Sequence, residues 1–349
     1  MHSHANKRAR SSARTLKSSR KSRVARWARV ATVAAPLLGA GAVAAPAVAH
    51  DHNRTTGYTF ETLDNQSDAT FNQLLGINQR GLIAGYFGSG QQNHPNRGYL
   101  LSLPYGQGNY HSENWPESAQ TQVTGLNDHG VTVGFWSSTN NAAVGNNPPV
   151  NDNRAFVSDK GYFIDGDFPT ASVGTPPIDQ LLGVNDNDVA VGFYMDAAGN
   201  THAYRFDIRR NEFRELMPSG ITNPTAAAIN NRDDIAGFGT ANGSTVGYLL
   251  RRDGQVSVLS VPGSSMTQAL GINDNDEVVG VYVDGSNRNH GFTWTPWTGF
   301  KTVDDPNIDM ANPASGTTIN GVNDKGQLVG FYTDAVGNTD GLLASPHHS

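Results

Sequence analysis

Three aspartates open equivalent loops in this 349-residue chain: Asp196 in DAAGN, Asp284 in DGSNR and Asp334 in DAVGN. Six residues beyond them stand His202, His290 and Asp340. Carboxylate and imidazole at a fixed spacing could present oxygen and nitrogen ligands to a divalent cation such as calcium. Arg97 and Arg154 hold the histidine's place in two further copies, and Trp136 stands at the edge of the longest loop, where an aromatic could stack on a sugar ring. A blander account competes with each reading. An aspartate at a loop start caps the turn backbone, a histidine bonds a neighbouring loop, and an aromatic fills the wedge between packed sheets. For a residue repeated once per unit, that account is the stronger one.

Other chemistry is thinner. Asp165 with Asp167, and Asp304 with Asp305 and Asp309, could act as acid and base on a glycosidic bond if opposed across a groove. As strand-end turn formers beside Pro169 and Pro306 they need no such role. The triplets Asp186-Asn187-Asp188 and Asp274-Asn275-Asp276 look calcium-like but lack the remaining ligands of a calcium loop. The chain has no nucleophile elbow, zinc-binding helix motif, phosphate loop or dinucleotide fingerprint. No cofactor is evident, and whether the chain is an enzyme stays open at this point.

These residues are carried by a repeat. Six segments align, from GINQRGLIAGYF at Gly76 to GVNDKGQLVGFY at Gly321. Their asparagines are Asn78, Asn127, Asn185, Asn230, Asn273 and Asn323, and a glycine stands seven residues after each. Each unit reads as four short strands: an apolar strand ending at the asparagine, a tight N-D-x-G turn, a second strand through the glycine, then two more. That predicts an all-β fold, a six-bladed β-propeller of four-stranded antiparallel blades. After Asn323 no fourth strand remains, whereas Tyr58 to Asp64 has the fourth-strand pattern. The last blade is therefore expected to be closed by the N-terminal strand, leaving no free edge. The glycines are expected to serve close backbone packing. The N-D-x-G side is expected to be structural, and binding residues to lie on the opposite, long-loop face. Trp297, in a link between third and fourth strands, falls on the structural side.

The units resemble the HAF-type repeats of extracellular bacterial proteins, on His202-Ala203-Tyr204 and His290-Gly291-Phe292. Arg97, Arg154, Val246 and Asp340 replace the histidine elsewhere. The resemblance spans about Tyr58 to Leu343 and implies location and architecture, not a shared reaction.

The ends and the charge bound the partners. Residues 1–49 hold ten Lys or Arg and no acid, then an apolar run from Val30 to Ala45 and the small-residue end Ala47-Val48-Ala49. This is the pattern of a secretory signal peptide cleaved between Ala49 and His50, leaving residues 50–349 as one six-repeat domain. The apolar run is shorter than the ~20 residues that span a bilayer, so no membrane insertion is expected. Removing the ten basic residues from the chain's 25 leaves 15 against 31 acids, a net charge of about −16. Such a surface repels nucleic acid and anionic lipid. With no cysteine, stability must come from core packing and closure. The expected function is a secreted, monomeric, non-catalytic recognition propeller binding a glycan, a cell-envelope polymer or an exported protein on its long-loop face. The alternative is an extracellular hydrolase or lyase with an Asp/His-lined central pocket.

Overall fold

The computed structural model of the protein describes residues 57–91, 93–138, 152–170 and 174–347, all within the compact unit Gly39–Ser349. The basic segment and the cleavage site lie outside the described residues, as does most of the long loop between Ser137 and Arg154. Among the described residues the fold is all-β, the one exception being a 3-10 turn at Gln107–Asn109. No helix among them is long and apolar enough to cross a membrane.

Each repeat is an antiparallel meander. Repeat 3 runs Asp179–Val184, Val189–Met195, Thr201–Asp207 and Glu212–Leu216, each strand paired with the next. Four such four-stranded sheets are separate. Repeats 4 and 5 are joined through a single parallel bridge, Thr245↔Met266. The N-terminal strand Tyr58–Thr62 pairs antiparallel with the last strand, Thr339–Pro346, and so serves as the outer strand of repeat 6. The first and last strands among the described residues thus share one sheet.

The turns after the first strands show why the asparagine recurs. Asn78 Oδ1 accepts the amides of Arg80 and Leu82 at 3.0 Å, and the fourth turn residue, Gly81, adopts a positive φ of 81°. Repeats 3, 4 and 5 place Asp188, Asp233 and Asp276 in the same left-handed conformation, which aspartate tolerates better than most residues. The asparagine's other end reaches the next repeat. Asn78 Nδ2 donates to Asn127 O at 3.2 Å, Asn127 to Asn185 O at 3.0 Å, and Asn185 to Asn230 O at 2.9 Å. Asn230 continues to Asn273 O, Asn273 to Asn323 O, and Asn323 back to Asn78 O at 3.1 Å.

The following residues form a second circuit. The amide of Asp128 donates to Asp186 Oδ1, that of Asp186 to Asn231 Oδ1, and that of Asn231 to Asp274 Oδ1, each at 2.8 Å. Asp274 donates to Asp324 Oδ1, Asp324 to Gln79 Oε1, and Gln79 to Asp128 Oδ1. The first aspartate of each calcium-like triplet therefore accepts a neighbour's amide. Among the described residues no group of three acids or histidines is arranged to hold a metal.

The first strands pack backbone to backbone. A Cβ on Gly125 would lie 3.0 Å from Gly183 Cα, and one on Gly321 would lie 3.2 Å from Gly76 Cα. The glycine of each second strand faces a register shift in the first strand, such as that between Leu181 and Gly183. A third-strand side chain lies across it: Tyr99 beside Gly85, Phe156 beside Gly134, Tyr248 beside Gly237, Phe292 beside Gly280. These rings are fully buried, so the hollow left by a missing Cβ becomes the seat of the core aromatic.

Candidate functional site

The long-loop end of the sheets carries a recurring set of side chains. It is built across the second and third strands and the exit of the fourth. In repeat 3, Tyr194 pairs across strands with His202, and their rings stack at 4.8 Å. Phe168, on the link from repeat 2, stacks on Tyr194, also at 4.8 Å. His202 Nδ1 lies 2.6 Å from Glu215 Oε1, and its Nε2 lies 3.2 Å from Asp196 Oδ2. Asp196 Oδ1 meanwhile accepts the amides of Ala198 and Asn200. Burial works against the charged imidazole, but hydrogen bonds to Asp196 and Glu215 outweigh it and raise the pKa of His202. Asp196, bonded first by the Asn200 side chain, is held well below the usual carboxylate range.

Repeat 5 repeats the arrangement. His290 stacks on Tyr282 at 5.0 Å, its Nδ1 lies 2.7 Å from Asp304 Oδ2 and its Nε2 lies 3.3 Å from Asp284 Oδ2. Again the two carboxylates overcome burial and raise the histidine's pKa. In repeat 6, Asp334 Oδ1 accepts the amides of Val336, Gly337 and Asn338, and Asp340 stands opposite Tyr332 where the histidines stand elsewhere.

Arginine fills the place in repeats 1 and 2. Arg154 pairs across strands with Trp136 and reaches Asp167 Oδ2 at 3.3 Å and Asp152 Oδ2 at 3.7 Å. Trp136 is half-buried and stacks on Trp115 at 5.0 Å with an interplanar angle of 4°. Arg97 stands opposite Phe87 and donates to Ser118 O at 3.5 Å. Trp297, by contrast, is 68% exposed in the link before the fourth strand of repeat 5.

Asp196 with His202, and Asp284 with His290, are brought together within one repeat. The loop aspartates cap their turns, and each also bonds the histidine of its own loop rather than leaving it to a neighbouring loop. Each set bonds within its own repeat. Among the described residues Asp196, Asp284 and Asp334 form no common group of ligands. Glu215 and Asp64 were not among the sequence candidates. Asp64 stands just beyond its strand, as Asp304 does, but belongs to repeat 6 only through the N-terminal strand; Glu215 lies inside the fourth strand of repeat 3, where no recurring acid marked it.

Beneath these sets lies a buried carboxylate. Asp179, 1% exposed, accepts the Tyr204 hydroxyl at 2.6 Å and the Phe168 amide at 2.7 Å. Burial, despite these bonds and aided by the charge of Asp167, pushes its pKa up to about 8. The folded state thus holds the proton more tightly than the unfolded chain. The stabilisation is complete below the unfolded pKa of about 3.9 and is lost as pH rises through the folded value. Asp179→Asn keeps an acceptor for Phe168 N and can donate to Tyr204 Oη, whose proton then turns to Gly166 O, already 3.2 Å away. Its melting temperature should match wild type near pH 4, exceed it increasingly toward pH 8, and hold a constant lead above. One pKa unit is about 1.4 kcal/mol, so a lead of at least about 3 °C at pH 8 is expected. Parallel melting curves from pH 4 to 9 would refute this account.

No protein-family model matches the chain, and no curated protein matches it. Solved structures do resemble it. The SapL1 lectin in complex with alpha-methyl fucoside is 10% identical, with a TM-score of 0.48 over 76% of this chain and 90% of that one. TolB from Acinetobacter baumannii is 11% identical, with a TM-score of 0.47 over 76% of this chain; the match spans 64% of TolB, less than two thirds of its length. Virginiamycin B lyase from Staphylococcus aureus is 11% identical, with a TM-score of 0.41 over 82% of this chain and 99% of that one. At such identities the likeness assigns neither family nor ligand.

Proposed function

We propose that the protein is a secreted recognition module, a six-bladed β-propeller of the HAF-repeat type that binds without chemistry. Its ligand is a glycan, a cell-envelope polymer or an exported protein, held on the long-loop face. The asparagine circuit that returns from Asn323 to Asn78 supports six blades, and the pairing of the N-terminal strand with the last one supports closure of the sixth. The basic and apolar segment before His50 supports export.

The observation that carries the binding reading is the repeated box itself. An imidazole backed by an aromatic ring and flanked by two carboxylates recurs at equivalent places in repeats 3 and 5. Repeats 1 and 2 offer arginine beside an aromatic in the same place. Oriented charged groups next to ring faces suit the hydroxyls and apolar ring faces of sugars. Spaced around a rigid scaffold, several such boxes give avidity toward a polymer. A catalytic centre would need its groups gathered at one reacting atom instead.

The test is binding of the mature protein, His50 to Ser349, to an array of envelope and plant polysaccharides, with His202→Ala and His290→Ala in parallel. A hydrogen bond to a charged group contributes about 1.5–3 kcal/mol, so each substitution should weaken binding about tenfold or more. An array with no binding to any polymer would sink the glycan version. Wild-type affinity in both variants would remove the boxes from the site.

A further inference from the structure

The two faces of the repeat 3 sheet carry different chemistry. The face of Tyr204 and Glu215 holds the histidine box. On the other face, Ala203 and Leu216 pack against repeat 4. Nearer the hairpin that joins these two strands, Arg205 stands directly opposite Arg214, and Asp207 opposite Glu212. Like charges in directly opposed positions destabilise a sheet. The ordinary remedy is diagonal pairing, Arg205 with Glu212 and Arg214 with Asp207, and the structure does not adopt it. Asp207 is taken by Arg210, whose amide and guanidinium it accepts at 3.0 and 2.6 Å. Arg205 keeps one ion pair among the described residues, a 3.9 Å contact with Asp233 of repeat 4. Among the same residues Arg214 and Glu212 have no ion pair and no side-chain hydrogen bond.

These groups wall a cavity of about 600 Å³ at the hairpin end of the sheet. Arg214 and Glu212 are exposed and Arg205 is half-buried, so the guanidinium pair is reached from solvent. Arg209 of the same hairpin donates to Asp188 Oδ2 at 2.7 Å, which puts the cavity beside the N-D-x-G turns and away from the long loops. The distribution of charge along the chain favours the same place. Seven of the fifteen basic residues that follow residue 49 fall between 205 and 252, against five acids. In a chain that is strongly acidic elsewhere, an anion meets least repulsion here.

We propose that Arg205 and Arg214 bind the anionic group, a carboxylate or a phosphate, of a hydroxylated polymer. A guanidinium is a planar fork that matches the paired oxygens of either anion. Two forks on adjacent strands, their Cβ atoms about 5 Å apart, close on one group from two sides and the anion relieves their mutual repulsion. Glu212 then selects the bearer of that anion. Its free carboxylate accepts hydroxyl donors and repels a second negative charge. An acidic sugar supplies hydroxyls beside its charge, whereas an acidic peptide supplies further carboxylates and no hydroxyl. The choice of a polymer rests on the recognition reading, and the site adds to it a second face of repeat 3, opposite the box.

Isothermal titration of the mature protein with tetragalacturonate, its neutral methyl ester, poly(glycerol phosphate) and hexaglutamate tests this. At low ionic strength tetragalacturonate or poly(glycerol phosphate) should bind, and the tighter of the two identifies the anion. The methyl ester lacks the charge and hexaglutamate lacks the hydroxyls, so each should bind about tenfold or more weakly. Binding should weaken in about 0.5 M sodium chloride, because the pair is open to solvent. Arg214→Gln and Arg205→Gln should each weaken it about tenfold or more, and Arg214→Lys should restore part of the loss as a point charge without the fork. Arg214 is exposed, so its variants remain informative if Arg205→Gln fails to fold. Lys160→Gln removes the same charge from the corresponding hairpin of repeat 2 and should bind as wild type. Equal binding of the methyl ester or of hexaglutamate would overturn the proposal, as would undiminished binding by both glutamine variants or an equal loss in Lys160→Gln. Binding that His202→Ala weakens and neither arginine variant alters would end this inference and leave the recognition reading standing. Wild-type protein that binds neutral polysaccharides and neither anionic polymer would do the same.

Discussion

Gly192→Ala is expected to cost most of the protein's stability although it adds one methyl group. A Cβ at Gly192 would stand 1.9 Å from Gln180 O, the carbonyl of the paired first strand. That oxygen belongs to the backbone beside a register shift between Leu181 and Gly183, so no rotamer change relieves the overlap. The second strand must separate from the first at this point. Overpacking costs about 1–3 kcal/mol where side chains can give way. Here about 3 kcal/mol or more is expected, a drop in melting temperature of about 6 °C or more. Gly285→Ala is the control, because nothing lies within 4 Å of its added Cβ; it should melt within about 1 °C of wild type. Equal melting temperatures for the two variants would show that the close approach is not a constraint.

Asn185→Ala should be the next most damaging change. The side chain is 3% exposed and has four partners. Oδ1 accepts the amides of Asn187 and Val189 at 3.0 and 3.1 Å; Nδ2 donates to Asn230 O at 2.9 Å and to Asp233 Oδ1 at 3.2 Å. Each buried group left without a partner costs about 1–3 kcal/mol, so a total near 3 kcal/mol is expected. Asn185→Asp separates the two roles. It keeps the turn acceptor, removes the donor to repeat 4 and sets a carboxylate against Asp233. Chemical unfolding should rank wild type above Asn185→Asp, which lies well below it, with Asn185→Ala at or beneath that level. An aspartate variant as stable as wild type would mean that the bond between repeats contributes nothing.

Both predictions rest on residues that were conspicuous in the sequence. An asparagine and a glycine seven positions apart, six times over, serve needs met mostly within one repeat: a turn acceptor, a left-handed turn residue, a position without Cβ. The meander, its tight turns and the fourth-strand character of Tyr58 to Thr62 follow from the same local chemistry. The pairing of Asp196 with His202 and of Asp284 with His290 was not read from the sequence, although a six-residue spacing across one hairpin is what brings each pair together.

Other features were not readable in this way. The carboxylates of Asp128, Asp186, Asp274 and Asp324 follow the repeated asparagines, but their mutual bonding depends on each repeat lying beside the next. Asp179 looks like any strand-initiating acid until Tyr204 and the Phe168 link close over it and bury its charge. The acid of the N-terminal strand is the clearest case. Asp64 meets the Gly341 amide across 277 residues of sequence, because that strand pairs with the last one. Hydrogen-bonding capacity and backbone freedom belong to the residue itself, so a repeated sequence displays them. Burial, and the company a charge keeps, belong to the packed chain, and they arise here only when the N-terminal strand joins the last sheet and neighbouring repeats close on one another.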